Sequence, residues 1–174
     1  MIQKISPRKV DTYAYMETIC ELLEEGHEVP LVITGNSMSP FLIHERDQIL
    51  ISKVNRPLKK GDMAFFRRNT GQYIMHRIRY IKTGQAGEEE KYYFIGDAQT
   101  VTEGPIARKQ IFGVITAVQR KGKTLKKGDF WWEFFEHVWL HIIPLRHVIC
   151  WAYGLSVGNI KALFRSRIKS DAEK

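Results

Sequence analysis

Ser37 and His76 are the residues of this chain whose types and surroundings could do chemistry. Ser37 stands in Thr34-Gly35-Asn36-Ser37-Met38-Ser39-Pro40. Gly35 permits a tight bend there and Pro40 fixes the exit. Such a turn exposes a hydroxyl and aims backbone N–H groups at one point, the arrangement an oxyanion needs. Gly35 and Ser37 are the candidate donors. His76 follows 39 residues later in Met75-His76-Arg77-Ile78. A serine hydroxyl is a weak nucleophile until a base takes its proton, and histidine titrates in the range that suits that task. Taken singly, each has a plainer meaning: a surface serine on a β-turn, and a hydrogen-bonded core histidine. A carboxylate could join them. Asp97 comes just after an apolar strand in Tyr93-Phe94-Ile95-Gly96-Asp97, where it could hold the imidazole tautomer and stabilise its charged form. It could equally bond its own turn. Glu103 is the second carboxylate candidate.

The elements that would position these groups are mostly strands. Asp11 to Glu25 reads as one helix, with Tyr13, Met16, Ile19, Cys20 and Leu23 at helical spacing, Asp11 as its cap and Gly26 as its stop. Apolar runs over 29–34, 47–54, 61–66, 72–82, 91–95 and 111–119 read as strands punctuated by glycine-rich turns. In the fourth, Ile74, His76, Ile78 and Tyr80 alternate onto one face. The fold class is therefore mainly β, a twisted, coiled sheet with an N-terminal helix and a helical C-terminal tail. The expected divisions are 1–28 for the helix, 29–127 for the β-domain and 128–174 for the tail.

The tail differs in composition. All four tryptophans, Trp131, Trp132, Trp139 and Trp151, fall within it. Drawn as a helix, it puts Glu133, Glu136, His137, His141 and His147 on one face and Trp131, Phe135, Val138, Ile142, Leu145 and Ile149 on the other. Pro144 should end or kink that helix, and Lys161, Arg165, Arg167 and Lys169 mark a final basic one. The aromatic face has two readings: core packing onto the β-domain, or insertion into an anionic membrane surface. His137 and His141, four apart, are too few for a metal site without further ligands.

In chain order, Gly-x-Ser-Met-x-Pro, Asp-x-Ile-Leu-Ile-x-Lys-Val, Gly-Asp-x-x-x-Phe, His-Arg-Ile and Ile-Gly-Asp-Ala resemble the signal peptidase I family and the wider superfamily it shares with the self-cleaving LexA-like repressors. The resemblance covers roughly Leu31 to Arg120. It is best to the archaeal and endoplasmic-reticulum branch, in which histidine replaces the bacterial lysine base. It implies Ser37 as nucleophile, His76 as general base, a fold of coiled sheets, and no metal or cofactor. In the eukaryotic branch a later acidic residue is the usual third member. That position falls on Glu103, so Asp97 and Glu103 both stand. Gly35 carries no hydroxyl, so backbone N–H groups must form the oxyanion hole alone. Lys53, Lys82 and Lys91 do not fall where the lysine base would.

The implied activity is that of a serine endopeptidase acting on a leader or signal-like peptide, bound extended along a strand edge. The alternative is a catalytically weak or inactive module that binds peptide or membrane. A DNA-binding regulator is disfavoured, because one N-terminal helix does not make a helix-turn-helix, and no nucleic-acid partner is expected. The net charge of +8 points to an anionic partner or surface. The 174 residues, 44% apolar, suit one domain with a real core. Cys20 and Cys150 form no metal or disulfide spacing. With no secretory h-region and no run of about 20 apolar residues, the expected location is the cytoplasm, with peripheral membrane association through the tail. The family's usual N-terminal membrane anchor is not recognisable in the sequence.

Overall fold

Short apolar runs punctuated by glycine-rich turns, with two shorter segments added, give eight antiparallel strands in one sheet among the described residues. The computed structural model describes residues 12–84, 89–146, 148–149 and 151. The Asp11 cap, most of the expected 83–88 turn, Cys150 and the final basic helix lie outside the described residues, as does the side chain of His147.

Helix α1 (Thr12–Glu24) is followed by β1 (Val29–Val32), β2 (Gln48–Lys53), β3 (Met63–Arg67), β4 (Tyr73–Lys82), β5 (Lys91–Ile95), β6 (Glu103–Ala107), β7 (Ile111–Arg120) and β8 (Lys123–Lys126). The sheet order is β1-β2-β7-β3-β4-β5-β6, with β8 also on β7. Residues 113–119 of β7 pair with β2 along one edge. Its other edge is shared by β3 at 111–114 and β8 at 117–120. Register shifts at Leu50/Ile51, Phe65/Phe66, Ile78/Tyr80 and Tyr92/Phe94 bend the strands, so the sheet coils rather than lying flat.

Coiling produces two apolar clusters. Leu58, Ala64, Phe66, Ile78, Tyr92, Phe94, Ile106 and Ile111 form one. The other takes Met16, Ile19 and Leu23 from α1, Met38, Phe41 and Leu42 from the Ser37 turn, and Trp132, Phe135 and Trp139 from the tail. The tail from 130 to 139 is thus part of the main core. Its faces differ from those of a regular helix. After α2 (Phe130–Glu133), residues Phe134–Val138 form a π-turn, closed by the Trp139 N–H donating to Phe134 O at 2.9 Å. The wider turn rotates the side chains that follow. Trp132, Trp139 and Leu140 are buried, whereas Trp131, Val138 and Leu145, expected on the buried stripe, are exposed.

Candidate active site

The Ser37 turn is held by its apolar roots. Met38, Phe41 and Leu42 are buried, and Phe41 packs on Phe135 with ring centroids 4.7 Å apart. Gly35 has φ +88°, a conformation that glycine alone adopts without strain. From the other side the loop after β5 grips the turn. The Ala98 N–H donates to Ser37 O at 2.8 Å. A Cβ on Gly96 would come within 2.5 Å of that same oxygen, so only glycine fits there. The loop is fixed in turn by the tail. Trp139 Nε1 donates to Asp97 O at 2.7 Å, and Arg146 Nη1 donates to Gly96 O and Gln99 O, each at 3.1 Å.

His76 is 3% exposed, opposite Ala64 in the β3–β4 pairing, with the Phe66 ring 6.3 Å away. Burial pushes its pKa down to about 4; Glu103 opposes this, Arg68 adds to it, and Asp97 opposes it least. The imidazole is therefore neutral at physiological pH, the state a general base needs. Its Nδ1 is, among the described residues, the one sealed side-chain polar atom without a hydrogen-bond partner. Glu103 Oε2 stands 3.9 Å from it.

Ser37 and His76 line one cavity of about 750 Å³. They do not hydrogen-bond to each other, a separation common in substrate-free sites. Two strand edges flank the cavity. β1 is the terminal strand of the sheet, and Tyr73–His76 of β4 extend beyond the stretch paired with β5, which begins at Arg77. Both segments contribute lining residues.

Two expected roles change. Asp97 does not reach the imidazole. Its carboxylate accepts from Arg77 Nε and Nη2, both at 3.0 Å, in an ion pair buried on both sides. Arg77 follows His76 directly, so it projects from the opposite face of β4 and carries Asp97 with it. Asp97 thus anchors the loop that grips Ser37. Gly35, expected as an oxyanion donor, already gives its N–H to His44 Nδ1 at 3.0 Å. The N–H groups of Ser37 and Met38 make no hydrogen bond among the described residues. In the tail, His137 pairs with Glu133 at 3.0 Å while His141 turns to Lys60 at 3.3 Å, so the two rings do not converge.

Arg68 was not anticipated. Its guanidinium grips Glu103 with Nε on Oε1 and Nη2 on Oε2, the latter at 2.6 Å, and it lines the cavity. An arginine at the β3–β4 turn, near β6 only through the sheet order, leaves no local sequence signal.

The Peptidase S24-like family model matches residues 3–116. The chain belongs to that family. The match takes in the Ser37 turn, His76, Arg68 and Glu103, and the fold and peptidase-type character of the S24-like domain follow from it. No curated protein matches the chain. Among the described residues no helix is long and apolar enough to cross a membrane.

Proposed function

We propose that this S24-like protein is a serine endopeptidase that cleaves a leader or signal-like peptide. The observation that carries the reading is the shared cavity, with a hydroxyl on one wall and a neutral, buried imidazole on the other. An extended peptide adds main-chain hydrogen bonds to the edges of β1 and β4 and lays its scissile carbonyl between the two groups. His76 takes the Ser37 proton as Oγ attacks the carbonyl carbon, then delivers it to the leaving amine. Water hydrolyses the resulting acyl-enzyme by the same base. The Ser37 and Met38 N–H groups receive the oxyanion. Glu103, rather than Asp97, stands behind the imidazole. Small residues flank the scissile bond, as the signal peptidase resemblance implies, and the substrate is a cytoplasmic leader.

Fluorophosphonate labelling of the purified protein tests this. The wild type should label, and Ser37→Ala and His76→Ala should not. In a working pair either loss costs on the order of 10⁶ in turnover. A folded wild type that stays unlabelled from pH 6 to 9 would overturn the assignment.

A second reading, an inactive peptide-binding or membrane-binding module, draws on one surface. Phe130 and Trp131 are exposed and packed edge-on at 5.2 Å. Trp131 shares a depression with Arg120, Lys121 and Lys123 of the β7–β8 hairpin. Aromatic rings beside a basic hairpin suit an anionic lipid surface, and the same contact would place the peptidase at the cytoplasmic membrane face.

A further inference from the structure

We propose that Arg68 is a positioning residue that holds the Glu103 carboxylate against His76 Nδ1 and so sets the imidazole tautomer; this rests on the peptidase reading of His76. The geometry is a relay across three strands. The β3–β4 turn braces Arg68 through its N–H on Gln72 O at 2.8 Å, the Gly71 N–H on Arg68 O at 2.8 Å, and Arg68 Nη1 on Gln72 Oε1 at 2.8 Å. From this fixed base the guanidinium forks onto both oxygens of Glu103. Glu103 begins β6, the terminal strand, which among the described residues pairs only with β5. Nothing else described bonds its carboxylate. Without Arg68 that side chain, partly exposed at the sheet's edge, would be free to turn to water.

The fork also leaves the right capacity unspent. Each carboxylate oxygen has two acceptor sites, and a bidentate arginine uses one on each. Oε2 therefore keeps a site that faces Nδ1, 3.9 Å away. A shift of about 1 Å would bring the pair to hydrogen-bond length. Nδ1 is sealed and otherwise orphaned, and an unmet buried polar atom favours such a closure. Asp97, the other nearby acid, is locked to Arg77. A proton on Nδ1 leaves Nε2 bare, which is the form that can take the Ser37 proton. When it does, Glu103 balances the charge formed on the ring.

The tautomer is read directly by ring ¹⁵N chemical shifts at pH 7.5, where His76 is neutral. The wild type should show His76 protonated at Nδ1, against the Nε2–H form that free histidine prefers. Arg68→Gln and Glu103→Ala should both move it toward Nε2–H, and Arg68→Lys, which keeps the charge, should recover part of the signal. Adding Arg68→Gln to Glu103→Ala should change nothing further. The fluorophosphonate labelling rate should fall about tenfold or more in Arg68→Gln, the scale of a misheld base. An Nε2–H wild type, or an Arg68→Gln protein with the wild-type tautomer, overturns the proposal. The tautomer needs no reactive serine. If the ring signals shift as stated but nothing labels, the peptidase reading fails alone. If the wild type labels and Arg68→Gln leaves both readouts unmoved, only the role of Arg68 falls.

Discussion

His76 should make the fold acid-sensitive in a window set by its burial. Burial is the largest cause of its fall from 6.5 to about 4. In the unfolded chain the ring returns to its ordinary value, so on acidification the unfolded state takes up the proton first. Between pH 6.5 and 4 the unfolded state binds more protons than the folded one, and stability must rise with pH there. The contribution is fully present above pH 6.5, is lost as pH falls below it, and levels off below about 4. The whole gap corresponds to about 3 kcal/mol, of which about 2 kcal/mol is lost between pH 7.5 and 5. Urea unfolding of the wild type and His76→Gln at these two pH values isolates the effect, because the two proteins differ in no other side chain. With a slope of about 2 kcal/mol per M, the wild-type midpoint should fall about 1 M more than that of the variant. Midpoints that fall in parallel, within about 0.3 M, would mean that burial in the fold does not depress the His76 pKa.

Three further outcomes follow from contacts outside the catalytic pair. Gly96→Ala drives a Cβ to 2.5 Å from Ser37 O; fluorophosphonate labelling should fall at least tenfold while circular dichroism keeps its β signature, at a stability cost of about 1–3 kcal/mol. Arg146→Ala removes a fully buried guanidinium and strands the carbonyls of Gly96, Gln99 and Trp139; a loss of about 3 kcal/mol should lower the melting temperature by roughly 6–12 °C. Phe130→Ser with Trp131→Ser should abolish co-sedimentation with phosphatidylserine vesicles and leave labelling unchanged, whereas retained sedimentation would remove this surface from the membrane reading.

How much was legible in the sequence follows from how local each signal is. The fifth strand, 91–95, is observed with the bounds read from the sequence, because a short apolar run bounded by turn residues is a local pattern. β6 and β8 escaped notice for opposite reasons. Glu103-Gly-Pro-Ile-Ala contains the two residues that most weaken a strand, and Lys123-Thr-Leu-Lys has a lysine at each end and a single apolar residue. Both are edge compositions, tolerated where one side of the ladder needs no partner. In the tail, a single π-turn shifts the side chains at and after it, so that Val138 is exposed while Trp139 and Leu140 are buried, and no residue type announces such a turn.

The choice between Asp97 and Glu103 turns on sheet register. Side chains two apart along β4 share a face, so His76 belongs with Ile78. Ile78 pairs with Phe94, and Phe94 pairs with Glu103. Phe94 packs on Phe66 with tilted rings, centroids 4.5 Å apart, and Phe66 neighbours the His76 ring. That chain of cross-strand pairs delivers Glu103 to the imidazole. Arg77, on the other face, lies 5.4 Å from the Phe41 ring below the Ser37 turn and claims Asp97. One strand therefore serves the site twice, with consecutive residues: His76 presents the base, and Arg77 ties down the loop that holds the nucleophile. A swap of Asp97 for asparagine should thus loosen the Ser37 turn through Arg77, while the tautomer of His76 stays as it was.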